Sequence, residues 1–331
     1  MAHTYDLAAV GNAIVDVLAH CDDEFLVTHD ITKGGMILIG AEHALTVYKE
    51  MGETQEIAGG SAANSTACLA SLGGTAAFIG KVGRDRLGDV FKASMEDVGV
   101  KFVAAPMADE TPTGRCLINV TPDAERSMLT FIGAAEHVSE ADVDEEVISA
   151  AAVTYFEGYL FEQPVARKAM EKAAKIARAA GRKTAITLSD KGCVERQHGN
   201  FVQFIRDHVD IVFANEEEAK ALAETNTVEK AVEKLNGISP YLAITRSEKG
   251  SIVMGPDSPA ETVDAVAPEQ LVDTTGAGDG YAGGFIYGLT RGMPLATCAK
   301  LGSLAASEVI SHMGPRPQKS LEHMAKDHGL I

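Results

Sequence analysis

The order of strand-like and helix-like segments predicts an α/β fold, a parallel sheet core with helices on both faces. Three observations carry this. Leu7-Ala-Ala-Val10 is a short apolar run closed by Gly11-Asn12, as expected of a strand buried on both sides. From residue 152 to 254 strand and helix patterns alternate, which implies parallel strands joined by crossover helices and ligands at the strands' carboxyl ends. Two glycine-rich helix starts, Gly59-Gly60-Ser61-Ala62-Ala63-Asn64 and Asp273-Thr274-Thr275-Gly276-Ala277-Gly278-Asp279, mark places where a backbone can approach a ligand closely.

Taken in order, the strand at 7 to 10 carries Asn12 and Asp16 at its carboxyl end. Residues 17 to 58 mix short alternating pieces such as Met36-Ile-Leu-Ile39 with Gly34-Gly35 and a helix-like stretch at 41 to 51, and read as an excursion from the core. Residues 59 to 73 form a helix of very small residues, suited to close packing on the sheet. A strand at 75 to 80 and a helix at 85 to 97 follow. The segment from 100 to 132 is irregular and strand-rich, and the alternation in Thr113-Gly-Arg-Cys-Leu-Ile-Asn-Val120 looks antiparallel and half exposed. Regular order resumes with strand 152 to 156, helix 164 to 180, strand 184 to 188, helix 199 to 207, strand 210 to 213, helices 216 to 224 and 227 to 236, and strands 241 to 245 and 251 to 254. A last helix begins near Gly276, because Ala277, Tyr281, Ala282, Phe285, Ile286 and Leu289 recur at spacings of three and four. A chain of 331 residues then holds one core, residues 1–16, 59–99 and 133–331, with excursions at 17–58 and 100–132.

Composition narrows the function. A net charge of −18 argues against a phosphate-backbone partner, since nucleic-acid binders display a basic face. The five cysteines show no Cys-x-x-Cys spacing, which suits a reducing compartment better than a disulfide framework or a zinc site. The ten histidines show no paired metal-ligand spacing. Asp6, Asn12 and Asp16 interrupt the N-terminal apolar pattern, so it reads as neither signal peptide nor membrane span, and a cytoplasmic location is expected.

The chemistry is concentrated at Asp273 to Asp279. Glycines at a helix start, with the unpaired amides and dipole of its first turn, can hold a developing phosphoryl charge, and Asp279 sits where an acceptor hydroxyl would arrive. An ordinary loop-to-helix junction, with Asp279 as a dipole-favoured acid, explains the same four residues. An aspartate at a helix N-terminus is expected to stay ionised, a modest base but a reliable acceptor.

The two glycine-rich starts together resemble the two signatures of the ribokinase-like carbohydrate kinase family, PfkB. The resemblance runs in the family's order through Gly11-Asn12-Ala13-Ile14-Val15-Asp16, Asn215-Glu216-Glu217-Glu218, Gly302-Ser-Leu-Ala-Ala-Ser and Gly314-Pro315-Arg316-Pro317. It implies a ribokinase-like core with a small β-strand lid formed by the two excursions, and transfer of the ATP γ-phosphoryl group to a hydroxyl. By resemblance Asp279 is the base, and Gly276, Ala277 and Gly278, with the Asp279 amide, form the anion hole. Asn12, Asp16, Gly60 and Asn64 bind the acceptor. Asn215, Thr245, Arg246, Gly250 and Gly278 bind ATP, and Glu218 holds Mg2+ through water. The bare residues allow Asn215 and Glu218 to be a helix cap and Thr245 to Gly250 a hairpin turn. A potassium ion near Asp273, Thr275 and Gly314 is a further expectation, as is a monomer or homodimer without membrane or nucleic-acid partners.

Within the family the resemblance is closest to the adenosine kinase branch, carried by Tyr155-Phe-Glu-Gly-Tyr-Leu160, Leu188-Ser189 and Phe213-Ala-Asn215-Glu216. The expected base-lining residues are Met36, Leu38, Met128, Tyr159 and Leu160, less aromatic than in other nucleoside kinases of the family, and equally readable as lid core. A fructose or ribose kinase is the alternative, and a ligand-binding relative without turnover is a third reading. A Rossmann dehydrogenase is disfavoured, because no Gly-x-Gly-x-x-Gly follows the first strand.

Overall fold

The computed structural model describes residues 3–103, 107–123, 125–256 and 258–331. The chain opens with β1 (Tyr5–Val10) and β2 (Ile14–His20), followed by α1 (Asp23–Thr28), β3 (Met36–Leu38), α2 (Ala41–Glu50) and β4 (Gln55–Gly59). Next come α3 (Ser61–Ser71), β5 (Ala76–Ile79), α4 (Arg86–Asp97), β6 (Val100–Val103), β7 (Gly114–Val120) and β8 (Arg126–Phe131). The second half runs through α5 (Glu145–Ala150), β9 (Ala151–Glu157), α6 (Pro164–Ala179), β10 (Lys183–Thr187), α7 (Lys191–His208), β11 (Ile211–Asn215), α8 (Glu216–Leu222) and α9 (Val228–Leu235). It ends with β12 (Tyr241–Thr245), β13 (Ser251–Gly255), β14 (Ser258–Val263), α10 (Ala277–Thr290), α11 (Leu295–Val309) and α12 (Leu321–Asp327).

Two sheets result. The large one has nine strands in the order β14-β13-β12-β11-β10-β9-β1-β5-β6, parallel from β12 to β6 with an antiparallel pair at the β14 edge. Both of its faces are buried. Alternate residues of one strand enter different cores: Leu7 and Ala9 pack with α3, α4, α10, α11 and α12, whereas Ala8 and Val10 pack with α5 to α9. That two-sided burial is why such strands read as continuous apolar runs. The smaller sheet has five strands in the order β3-β8-β7-β2-β4.

Several sequence expectations change. The chain changes sheet at Ala13, so Asp16 lies inside β2 of the small sheet and is not an appendage of β1. Conversely, β6 pairs with β5 and belongs to the large sheet, although it falls in the expected excursion 100–132. Strand β7 is buried along its whole length, not half exposed, because it is central in its sheet, parallel to β2 and antiparallel to β8. Helix α7 starts eight residues before the expected 199, capped by Asp190, whose carboxylate accepts from the Cys193 amide at 2.9 Å. A kink at Gln197 and a polar first half hid its period. The exposed edge strand β14 carries no alternating apolar signal at all.

Helix α10 packs unusually close to α3 and α11 through its glycines. A Cβ on Gly283 would lie 2.5 Å from the Ser65 carbonyl oxygen, and one on Gly284 would lie 2.5 Å from that of Leu301. Helix propensity alone favours alanine over glycine by about 1 kcal/mol. Overpacking against fixed backbone costs about 1–3 kcal/mol, so the contact decides the sign. Gly284→Ala is therefore expected to lower the urea midpoint, and an unchanged or raised midpoint contradicts this packing.

Candidate active site

The carboxyl ends of β1, β9, β11 and β12 present Asn12, Glu157, Asn215 and Thr245 along one edge of the large sheet. Glu157 ties this edge to α3. Its Oε1 accepts from the Asn12 amide at 3.1 Å and from Asn12 Nδ2 at 2.7 Å, and its Oε2 accepts from the Ala62 amide at 2.9 Å. Asn12, expected to bind the acceptor, gives its backbone amide and a side-chain hydrogen to Glu157. Burial pushes the Glu157 carboxyl up to about 7 despite these bonds.

The first turn of α3 reaches Asp279 at the start of α10. Ser61 Oγ donates to Asp279 Oδ1 at 2.6 Å and Asn64 Nδ2 donates to Oδ2 at 3.0 Å. Gly60 makes the turn possible, with φ of 89° and a would-be Cβ 2.3 Å from the Asn12 carbonyl oxygen. Gly276 caps α10 in the left-handed region, at φ 79°. A Cβ on Gly278 would meet nothing within 4 Å, so this helix start faces open space. The Ala277 amide bonds the Thr274 carbonyl at 3.2 Å, which removes it as a free donor of the expected anion hole; the Gly278 and Asp279 amides have no such bond among the described residues. Burial raises the Asp279 pKa, against the bonds from Ser61 and Asn64 and the charge of Arg316.

Asp16 is buried on β2 with its carboxylate over Gly59, where a Cβ would lie 2.4 Å from Oδ2. Burial lifts it to about 7, opposed by Arg316 and reinforced by Asp279 and Asp273. The strand register puts Asp16 on one sheet face with Ile14, Leu18, Cys116, Ile118 and Met128, and Met36 pairs with Met128 across β3 and β8. Ile14, Leu18, Cys116, Ile118, Val120 and Ala135 form a small core of their own, with Met128, Ile132 and Met313 against it. Met36 and Leu38 at the rim are 49% and 66% exposed. Leu160 does not join them, since it is buried in the core beside α6 and α7. Tyr159 stands among Asp190, Asp279, Glu157 and Glu218, and its hydroxyl reaches the Ser189 carbonyl at 3.4 Å.

On the other side, Asn215 and Glu218 form a reciprocal cap. Glu218 accepts from the Asn215 amide at 3.0 Å and from Nδ2 at 2.7 Å, while its own amide donates to Asn215 Oδ1 at 2.9 Å. Burial raises Glu218 to about 7. Thr245 lies beside Asn215 in register. Arg246 pairs with Glu216 at 2.7 Å, and Gly250 turns the β12–β13 hairpin at φ 80°. Asp273 accepts from the Thr275 amide at 3.0 Å and the Gly314 amide at 3.2 Å, and pairs with Arg126 of β8, tying the small sheet to the loop before Gly276.

With this geometry in place, the sequence pattern of the pfkB family carbohydrate kinases matches residues 25–322. The chain belongs to that family. It superimposes on the crystal structure of an adenosine kinase from Sinorhizobium meliloti with a TM-score of 0.90 and 48% identity, over 98% of this chain and 99% of that one. A probable sugar kinase from Rhizobium etli CFN 42 gives a TM-score of 0.92 and 44% identity, over 99% and 100%. The adenosine kinase of Saccharomyces cerevisiae is 27% identical over 342 residues, covering 94% of this chain and 96% of that protein. As a pfkB family member the chain is a phosphotransferase with a hydroxyl acceptor, and the family implies ATP as donor and usually Mg2+. No helix among the described residues is long and apolar enough to cross a membrane.

Ser61, Arg126, Glu157 and Arg316 enter the site without having been expected from the sequence. Ser61, Glu157 and Arg316 lie inside quoted motifs and Arg126 in the strand-rich excursion, but their partners are distant in sequence and only the fold shows them. Asp16 also has a consequence for stability. Its folded pKa, about 7, exceeds the ordinary 3.8, so the folded state holds a proton that the unfolded state has lost between those values. The resulting stabilisation is complete below pH 3.8 and disappears as pH rises through about 7. Asp16→Asn is expected to flatten the loss of urea stability between pH 5 and pH 8 by roughly 1–3 kcal/mol relative to the parent. Parallel profiles in the two proteins contradict the assignment.

Proposed function

We propose that the chain is an adenosine kinase, transferring the γ-phosphoryl group of ATP to the 5′-hydroxyl of adenosine. The observation that carries the reading is Asp16 set in an apolar sheet face. A carboxylate suits ribose hydroxyls, and Ile14, Leu18, Ile118 and Met128 around it suit a flat base that a bare sugar does not bring. The rim residues Met36 and Leu38 leave apolar surface that a bound base would cover. The name and 48% identity of the Sinorhizobium meliloti protein support the same reading.

In this mechanism Asp16, with Gly60 and Asn64 at the start of α3, orients the ribose. Asp279 accepts the acceptor's proton as its oxygen bonds to the γ-phosphorus, and the bond to the bridging oxygen of the leaving ADP breaks. The amides of Gly278 and Asp279 receive the charge of the moving group, while Asn215, Thr245 and Arg246 lie on the nucleotide side. Both bonds that Asp279 already accepts leave lone pairs on its oxygens. Its raised pKa makes it a better base than an exposed aspartate. No cluster of three or more acidic, histidine or cysteine side chains could chelate a metal among the described residues. A hydrated magnesium ion, reached by Glu218 through water, fits that arrangement and would neutralise phosphate charge.

Three outcomes are expected. Asp279→Asn should bind ATP normally while kcat falls roughly a hundredfold or more, and a near-normal kcat would remove Asp279 from the role of base. Release of ADP with adenosine, ribose and fructose should give the highest kcat/KM with adenosine. Burying on the order of 100 Å² of the base is worth about 2–3 kcal/mol, or roughly tenfold to two hundredfold before the lid is ordered. Met128→Asp should erase that preference while sparing the sugars. A clear preference for fructose, the sugar kinase reading that the Rhizobium etli protein's name supports, overturns adenosine and leaves the kinase intact.

A further inference from the structure

Arg316 is a charged group at the acceptor site that the mechanism leaves without a task. It follows the Gly314-Pro315 turn and is only 9% exposed. Its Nε donates to Asn64 Oδ1 at 3.2 Å, and its Nη2 approaches the Met95 sulfur at 3.0 Å. Its Nη1 is buried without a hydrogen-bond partner. A guanidinium placed for stability would be fully bonded, because a buried charge with an unmet donor costs more than an apolar side chain of its size. Something other than stability has to account for it.

The contact with Asn64 supplies the reason. An asparagine side chain has one accepting and one donating end, and either can turn toward a neighbour. A guanidinium offers only donors, so it takes the oxygen and leaves the Asn64 amino group facing Asp279, the 3.0 Å bond observed. Rotated the other way, the amide would set its oxygen against the carboxylate. Besides Ser61 and Asn64, the titratable groups that interact with Asp279 among the described residues are Asp16, Glu157, Glu218, Tyr155, Tyr159, Cys68 and Arg316, and of these only Arg316 is cationic.

We propose that Arg316 is the positioning residue for the base: it fixes the Asn64 amide so that its amino group meets Asp279, and its charge compensates Asp16 and Asp279 in the same buried site. This rests on Asp279 acting as the base. The charge interactions run in the matching direction, since Arg316 lowers both carboxyls against their burial and is itself pushed down to about 10 by its own burial.

The test is the pH dependence of kcat at saturating ATP and acceptor, for Arg316→Met, Arg316→Lys and the parent, using whichever of adenosine and fructose the enzyme prefers. Loss of the charge should move the acid limb of kcat upward by about one pH unit or more in Arg316→Met. Arg316→Lys, which keeps the charge without the planar fork, should return the limb to its parental position while kcat stays lowered. A folded Arg316→Met with an unmoved limb overturns the proposal. Should Arg316→Met not fold, Arg316→Lys is combined with Asn64→Ala: the lysine change should lower kcat in the parent and have little further effect once Asn64 is gone, and additive losses overturn the proposal. Asp279→Asn separates the two readings. If it stays active the base itself is misassigned, whereas if it is inactive and the Arg316→Met limb is unmoved, only the positioning role fails.

Discussion

Asp279 is held from another helix, and most of the site depends on that crossing. Ser61 and Asn64, on the first turn of α3, bond both oxygens of a carboxylate on the first turn of α10. Two helix starts 218 residues apart must therefore meet at hydrogen-bond distance. The glycines of α10 let its backbone settle against Ser65 of α3 and Leu301 of α11, and Glu157 anchors the start of α3 to the end of β1. The large sheet fixes β1 and β9 side by side, so the position of the carboxylate is inherited from strand order.

Electrostatics follows from the same burial. Two effects compete at Asp279: the helix start favours the charged carboxylate, and removal from water disfavours it. Burial wins, here and at Asp16, Glu157 and Glu218, all raised above ordinary values. Near these acidic residues, Arg126 pairs with Asp273 and the buried Arg316 bonds Asn64. In a chain of net charge −18, an anionic phosphate donor would need positive potential concentrated locally, from helix-start amides, basic side chains and metal.

Much of this was legible in the sequence, for physical reasons that differ by element. Strands such as β1 and β11 are buried on both faces and read as unbroken apolar runs, and Pro164 and Asn215 mark helix starts directly. The change of sheet at Ala13 was not legible, because β2 continues the apolar pattern of β1 and only its pairing with β7 distinguishes it. The exposed β14 offered no periodicity, and the kinked α7 offered too little. At the site, Gly60, Asn64 and Asp279 could be singled out because glycine-rich helix starts are local signals, and Asp16 because it closes the Gly11-Asn12-Ala13-Ile14-Val15-Asp16 motif. Glu157 and Arg316 could not, since a buried carboxylate at a strand end and an arginine after Gly-Pro acquire roles only from neighbours 145 and 252 residues away. Tyr159 and Leu160 show the converse: adjacent in sequence, one faces the charged groups and the other the core.

At Asp279 burial outweighs the helix dipole, and the rest of the site's electrostatics follows from that balance. Carboxyl-carbon NMR of the free enzyme labelled at aspartate, with the Asp279 signal identified by its loss in Asp279→Asn, measures it directly. A titration midpoint above the ordinary aspartate value of 3.8 is expected, and a midpoint at or below that value would contradict the dominance of burial at this carboxyl.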